Sequence, residues 1–316
     1  MNKSISYSLT IVLLTSTALC NAWGNFSMER VYSFFGKYTN EEVIEKEYRV
    51  AKPTILKIRG IDGNIIVTTE WKRDAICLKA VKRTAKKEDL EVFSVKTNRE
   101  EVENEHFLTL TTACSNKAAK GTVDYELIVP TYVALNLHTE RGLIKVQDVK
   151  GKVAVSTING TIDLKNINNA IIAQTKENGP ISIDGATGDI KATTNKGDIR
   201  INDATRSILA STQKGNIITT CNNVSSSSKI VLNSEQQGGI TLALPSSVNA
   251  TLIGKTEKGR LTSDHYVTIK PFTCKLDRQT RKDFERQVDG VIGTGEADIR
   301  LTSNNGHIRI LETKTT

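Results

Sequence analysis

"NGTIDLKNINNAIIAQTKENGPISIDGATGDIKATTNKGDIRIND", residues 159–203, says nearly the same thing three times. Gly160 is followed two residues later by Ile162, Gly179 by Ile181 and Gly197 by Ile199. The phrase before each glycine also recurs. Val153, Val155, Thr157, Gly160, Ile162, Leu164 becomes Ile171, Ala173, Thr175, Gly179, Ile181, Ile183. It then becomes Ile190, Ala192, Thr194, Gly197, Ile199, Ile201, and finally Ile208, Ala210, Thr212, Gly215, Ile217, Thr219. From Gly142 to Gly215 the glycines are 18, 19, 18 and 18 residues apart, the longer step being one extra residue in the loop before Gly179. Weaker copies start at Leu56, Leu135, Ile230, Leu252 and Ile299.

Alternation with period two puts these residues on one face and Asp163, Lys165, Ser182, Arg200 and Asn202 on the other. Each unit is therefore two short strands joined at the glycine, which tolerates left-handed backbone angles at little cost. A third inward position falls five residues after each isoleucine, at Val149, Ile167, Ala186 and Ala204. One such coil cannot cover its own apolar face, whereas a stack of equivalent coils can. The expected fold is all-β: a right-handed β-solenoid, or β-helix, of short coils of about 18 residues each, with N-terminal cap strands. The hand follows from the strong preference of parallel β crossovers. An antiparallel sandwich or prism of hairpins is the alternative, and the regular period and scarcity of Asn-Gly turns argue against it.

Outside the repeat, Asp74–Val95 and Phe107–Thr112 read as cap or side-sheet strands separated by the charged "NREEVENEH" turn. Ser225–Ser228 lengthens one coil. Short helical stretches are expected near Glu41–Tyr48 and Arg278–Val288. The first 22 residues, with Lys3 ahead of an apolar run through Leu19 and small residues at Cys20 and Ala22, read as a removed signal peptide, with a lipid anchor at Cys20 or a retained anchor as the alternatives. The expected organisation is a signal peptide over 1–22, an extension over 23–50 and one solenoid domain over 51–312. Its regular coils span 135–223, an insertion spans 264–295, and 313–316 is a tail.

The run "YELIVPTYVALNLHTERGLIKVQDVKGKVAVSTINGTIDLKNI", with its Val129-Pro130 step, leucine alternation and Gly-x-Ile coils, resembles a known family. So does the closing Gly306, Ile308, Ile310. Over about residues 43–312 the chain is similar to the bacterial "putative adhesin" domains of unknown function, themselves similar to auto-transporter adhesin head (GIN) domains. The resemblance implies a β-helix-like fold on an exported protein and brings no catalytic residues with it.

Export places the chain in an oxidising compartment, where Cys77, Cys114, Cys221 and Cys274 remain after cleavage. The sequence-nearest pairing is Cys77 with Cys114 and Cys221 with Cys274, and four free thiols are the alternative. No short-spaced cysteine pair suggests zinc.

The net charge is +8, from 43 lysines and arginines against 35 acidic residues. A cationic patch for an anionic partner is expected at Lys72, Arg73, Lys79, Lys82, Arg83, Lys86 and Lys87, with a second basic run over Lys270–Arg286. Reaction chemistry is harder to find. The outward columns Lys145, Asp163, Ser182, Arg200, Ile218 and Gln147, Lys165, Asp184, Asn202, Thr220 do not stack carboxylates, as a polysaccharide lyase or hydrolase would require. Asp184, Asp189, Asp198 and Asp203 read as turn formers. His307, in "GHIRI", sits on a core-forming strand. None of the four histidines lies in a nucleophile motif. No Phe, Trp or Tyr occurs between Val133 and His265, which argues against stacking platforms for sugars or bases.

The expected function is therefore a non-enzymatic exported module for adhesion or envelope interaction, with no cofactor and no nucleic-acid partner. Its expected partners are envelope glycans, anionic lipid or another envelope protein. A polysaccharide-active enzyme and an envelope assembly scaffold are the alternatives.

Overall fold

A computed structural model describes residues 38–69, 74–270 and 285–313. Each repeat contributes one strand to each of two sheets, one of 12 strands and one of 13. Strands after the glycine, such as Ile162–Ile167, Ile181–Ala186 and Ile199–Ala204, pair in parallel to form the isoleucine sheet. Strands before it, such as Val153–Asn159, Ile171–Asn178 and Ile190–Lys196, form the threonine sheet. Ile162, Ile181, Ile199 and Ile217 are successive register partners, and all are buried. A single apolar core runs between the sheets. The β-solenoid expected from the repeat is what forms.

The coils turn on a spine of glycines, and its physical basis is closer contact than the sequence implies. Gly142, Gly179, Gly197, Gly215 and Gly238 have the positive φ that favours glycine. Gly160, Gly259 and Gly306 do not, yet a Cβ on any of them would overlap a backbone carbonyl in the next coil. Gly160 would strike Gly142, Gly179 would strike Gly160, and Gly306 would strike Gly238. The coils therefore meet backbone on backbone.

The buried hydroxyl before each glycine uses that contact. Thr194 Oγ1 donates to the Gly179 carbonyl at 3.1 Å, Thr212 to Gly197 at 3.1 Å and Ser234 to Gly215 at 3.2 Å. Thr157 and Thr175 are exceptions, the first donating instead to the Glu140 carbonyl at 3.4 Å. The register shifts between Thr175 and Asn178, where the extra residue sits, and the buried Thr175 hydroxyl has no partner among the described residues. At the opposite corner Asp148, Asn166, Gly185 and Asp203 all have positive φ, and Asn166 Nδ2 donates to Asp148 Oδ1 at 2.8 Å. Asp203 is thus the turn former the sequence indicates, since Asp and Asn tolerate the left-handed region.

The stack departs from sequence order at both ends. Ala297–Ser303 and Ile308–Thr313, the last repeat, insert between the Ile230 coil and the Leu252 coil. The hydroxyl clamps follow the stack and not the chain: Ser303 donates to Gly238 at 3.0 Å and Thr256 to Gly306 at 2.8 Å. At the other end, Glu105–Cys114 and Gly121–Val129 form a further coil outside Thr54–Arg59 and Ile65–Thr69.

Three antiparallel strands, Asn40–Arg49, Ala75–Thr84 and Phe93–Val102, finish that end. Asn40–Arg49 corrects the helix expected near Glu41–Tyr48. Its ten residues pair with Ala75–Thr84 at the sheet edge, where ladder bonds outweigh a short helix that would have little to pack against. It also draws part of the expected 23–50 extension into the sheet. Most of the second expected helix, near Arg278–Val288, lies outside the described residues, and Gln287–Ile292 is a strand. The charged sequences of Asn40–Arg49 and Phe93–Val102 suit edges that must not recruit other chains.

Gly160→Ala is expected to destabilise the fold by about 1–3 kcal/mol although Gly160 is not among the positive-φ glycines, because overpacked backbone must shift. Urea unfolding measures this, and a neutral result would show that the coils can separate without cost. Thr212→Val is expected to cost about 1 kcal/mol for its lost hydrogen bond, while Thr175→Val should be neutral or stabilising. Equal losses for the two variants would remove the clamp from the account.

Candidate functional site

Three cations of the N-terminal cap, Lys79, Lys82 and Arg83, are paired with carboxylates of neighbouring strands. Lys82 is buried, pairs with Glu42 at 2.7 Å, and donates to the carbonyls of Leu90 at 3.2 Å and Phe93 at 3.1 Å. It thereby ties the edge strand Asn40–Arg49 to the turn Lys87–Leu90. Arg83 bridges Glu41, at 2.9 Å, and Asp124. Lys79 lies 3.7 Å from Glu126. Burial pushes the Asp124 carboxyl above its ordinary range, against the opposing pull of the Asn64 N–H at 2.7 Å and the Arg83 guanidinium. Lys86 and Lys87 are exposed, and Lys72 and Arg73 lie outside the described residues. Of the expected anionic-partner patch, Lys79, Lys82 and Arg83 are thus paired with carboxylates on the adjoining strands.

The expected Cys77–Cys114 bridge is corrected. Cys77 lies on Ala75–Thr84 in the isoleucine sheet, and Cys114 ends Glu105–Cys114 in the threonine sheet. The Cys114 thiol is free, with Sγ 3.1 Å from the Asn116 carbonyl. Cys221 is a free thiol pushed up to about 12, first by burial and then by the charge of Asp203, so little thiolate is available. Its expected partner, Cys274, lies outside the described residues.

The outward columns run as the repeat indicates. Lys145 pairs in register with Asp163, and Lys165 with Asp184, placing opposite charges side by side on the isoleucine sheet. On the threonine sheet one column reads Asn136, Ala154, Ile172, Lys191, Leu209, Val231. Its neighbour reads His138, Ser156, Gln174, Thr193, Ser211, Asn233. His138 Nδ1 and Ser156 Oγ are 2.8 Å apart. The two stand one coil apart and are register partners, so the period itself brings them together. Burial, then Lys176, lowers the affinity of His138 for a proton, with Arg59 adding to the effect and Glu140 opposing it. That weakens it as a general base. His307 Nδ1 accepts the Arg260 N–H at 3.1 Å, a bond between stacked coils.

A shallow depression of about 420 Å³ opens on the edge where threonine-sheet strands turn at the glycine spine. It lies where the stack order changes, and Lys214, Glu235, Gln237, Glu257, Lys258 and Asn305 are among its lining residues. Both glutamates are exposed. Glu235 Oε1 accepts from Ser211 Oγ at 3.4 Å and Asn233 Nδ2 at 3.5 Å. A glycosidase acid needs a carboxyl kept neutral by apolar surroundings. Lysines and amides surround these carboxylates instead, a setting that suits hydrogen bonding to a polar ligand. The repeat could not reveal this site, because it brings together turns from four coils and two of them are out of sequence order.

A glycine-spined β-solenoid with a polar, aromatic-free turn edge is the class these features define. Residues 56–311 match the family described as Toastrack DUF4097, and the chain belongs to that family. No curated protein matches the chain. It is similar to a "putative cell adhesion protein" from Clostridium sporogenes, at 10% identity and TM-score 0.31, with 87% of this chain and 99% of that one covered. It is also similar to a "putative adhesin" from Bacteroides fragilis, at 14% identity and TM-score 0.34, with 85% and 97% covered. A "putative lipid binding protein" from Parabacteroides distasonis is 10% identical with TM-score 0.35, with 86% and 97% covered. Likeness at this level says nothing of what the present chain binds.

Lys82→Met is expected to destabilise the protein by about 2–3 kcal/mol, since Glu42 loses its partner and two carbonyls lose their donor. Thermal and urea unfolding would register the loss. An unchanged midpoint would return Lys82 to the surface patch.

Proposed function

We propose that the protein is an exported, non-catalytic β-solenoid that serves as an adhesin-like interaction module of the cell envelope. One observation carries this reading. The stacked coils hold outward side chains in straight files, and the concave part of that surface is lined by polar binding groups without the environment of an acid–base pair. The apolar run of residues 1–22, read as a signal peptide, supports export. Rigid presentation favours binding because little conformational freedom is lost when a ligand docks. The partner favoured is an envelope glycan, held by hydrogen bonds and charge in the absence of aromatic platforms.

Expression of the full chain in a bacterial host followed by fractionation tests this reading. The expected result is a product shortened by about 22 residues outside the cytoplasm, and retention of the purified chain on isolated envelopes. An uncleaved cytoplasmic product, or a chain that washes freely off envelopes, would overturn it.

A further inference from the structure

Beside the depression the sheet places two like charges against each other. Lys196 ends Ile190–Lys196, Lys214 ends Ile208–Lys214, and the two are register partners in adjacent parallel strands. Their Cα atoms are thus held about 5 Å apart. Both side chains are exposed, and among the described residues neither is in an ion pair. Elsewhere the cross-strand neighbours are opposite charges, as in Lys145 with Asp163 and Lys165 with Asp184. Like charges in register destabilise a sheet. The nearest acid in sequence, Asp198, forms no ion pair with either lysine among the described residues, and its Oδ1 accepts the Asn216 N–H at 2.7 Å. The backbone carbonyls of Lys196 and Lys214 are taken by the N–H groups of Gly179 and Gly197, so the strand ends are fixed in place.

Lys214 also lines the depression, together with Gln236, Asn305 and its own register partner Gln237. Asn305 Nδ2 donates to the Gln236 carbonyl and ties two of its turns together. An anionic group seated between the two ammonium groups would carry the rest of its molecule toward these residues. The depression offers amide donors and acceptors, and the acceptor oxygens of Glu235 and Glu257. Those carboxylates would repel a second anion there but accept from hydroxyls. The arrangement therefore fits a ligand with an anionic group at one end and hydroxyls at the other.

We propose that Lys196 and Lys214, with the adjoining depression, form the anchoring subsite for an acidic saccharide whose ring carries a carboxylate or sulfate. This deepens the proposed function and rests on that reading for its biological setting, although the site can be tested apart from it. A carboxylate would accept from both lysines, and the hydroxyls of the ring would exchange hydrogen bonds with Gln237, Asn305 and the two glutamates. Two charge-assisted contacts make binding weaken as salt rises.

The test measures binding of the purified chain to polygalacturonate, to dextran sulfate, to neutral dextran and to phosphatidylglycerol vesicles. Polygalacturonate and dextran sulfate separate the carboxylate source from the sulfate source. The expected result is binding to at least one acidic glycan and not to dextran. The double variant Lys196→Gln/Lys214→Gln should lose at least about tenfold in affinity, one decade being about 1.4 kcal/mol. Lys86→Gln/Lys87→Gln, which removes equal charge at the distant cap, should bind as the parent does. The Lys196/Lys214 variant should melt no lower than the parent, because a like-charge contact has been relieved. A lower melting point would show that the lysines stabilise the sheet, which overturns the argument from repulsion. Equal loss in both double variants, binding to dextran as tight as to the acidic glycans, or preference for the vesicles would also overturn the site. Retention on envelopes with no effect of Lys196→Gln/Lys214→Gln would sink this site and leave the proposed function standing. Variant-sensitive glycan binding without envelope retention would do the reverse.

Discussion

The contact on which the rest of the structure depends is between peptide groups of successive glycines. Where Gly160 meets Gly142, or Gly306 meets Gly238, no space remains for a Cβ. This approach brings several of the turn carbonyls within reach of the next coil's buried hydroxyl, as in the 3.1 Å bond from Thr212 to Gly197. The same approach holds the isoleucines in file. The apolar core and the polar clamps are thus two consequences of one spacing. A repeat protein distributes its stability over neighbouring interfaces of this kind. A fault in one turn is therefore felt mainly by the coils on either side.

The ends show how an otherwise open stack is closed. The first and last repeats in the chain are not its outermost coils. Each lies between two neighbours, while other segments, Asn40–Arg49 among them, form the outer layers. Both faces of these repeats are thereby covered. At the cap end the outermost strands are antiparallel and charged, and Lys82 and Arg83 tie them to inner elements through Glu42, Glu41 and Asp124. Burying an ammonium such as that of Lys82 is tolerable only with such partners. Cations that stand together in sequence are here divided among carboxylates.

Closure also shapes the surface. Reordered coils leave turns of unequal length side by side, and the depression opens among them. A solenoid of identical coils would present a flat wall. Here regular files of side chains border a concave polar edge, with no Phe, Trp or Tyr from Val133 to His265 to supply stacking. Recognition on such a surface draws on hydrogen bonds and on charges whose positions the strand register holds.

The sequence by itself determined the repeat, its inward and outward faces and the vertical pairing of Ile162, Ile181, Ile199 and Ile217. A two-residue alternation and a fixed period leave few other ways to bury one apolar face per coil. It also marked Asp203 as a turn residue and gave His307 no catalytic partner. Tertiary structure alone decided the order of the end coils, the strand at Asn40–Arg49, the neutralisation of Lys79, Lys82 and Arg83, and the meeting of Lys214 with Glu257 and Asn305. Each of these depends on which distant segments become neighbours. Periodicity states which face of a coil is inward, but it carries no label for the coil that lies against it.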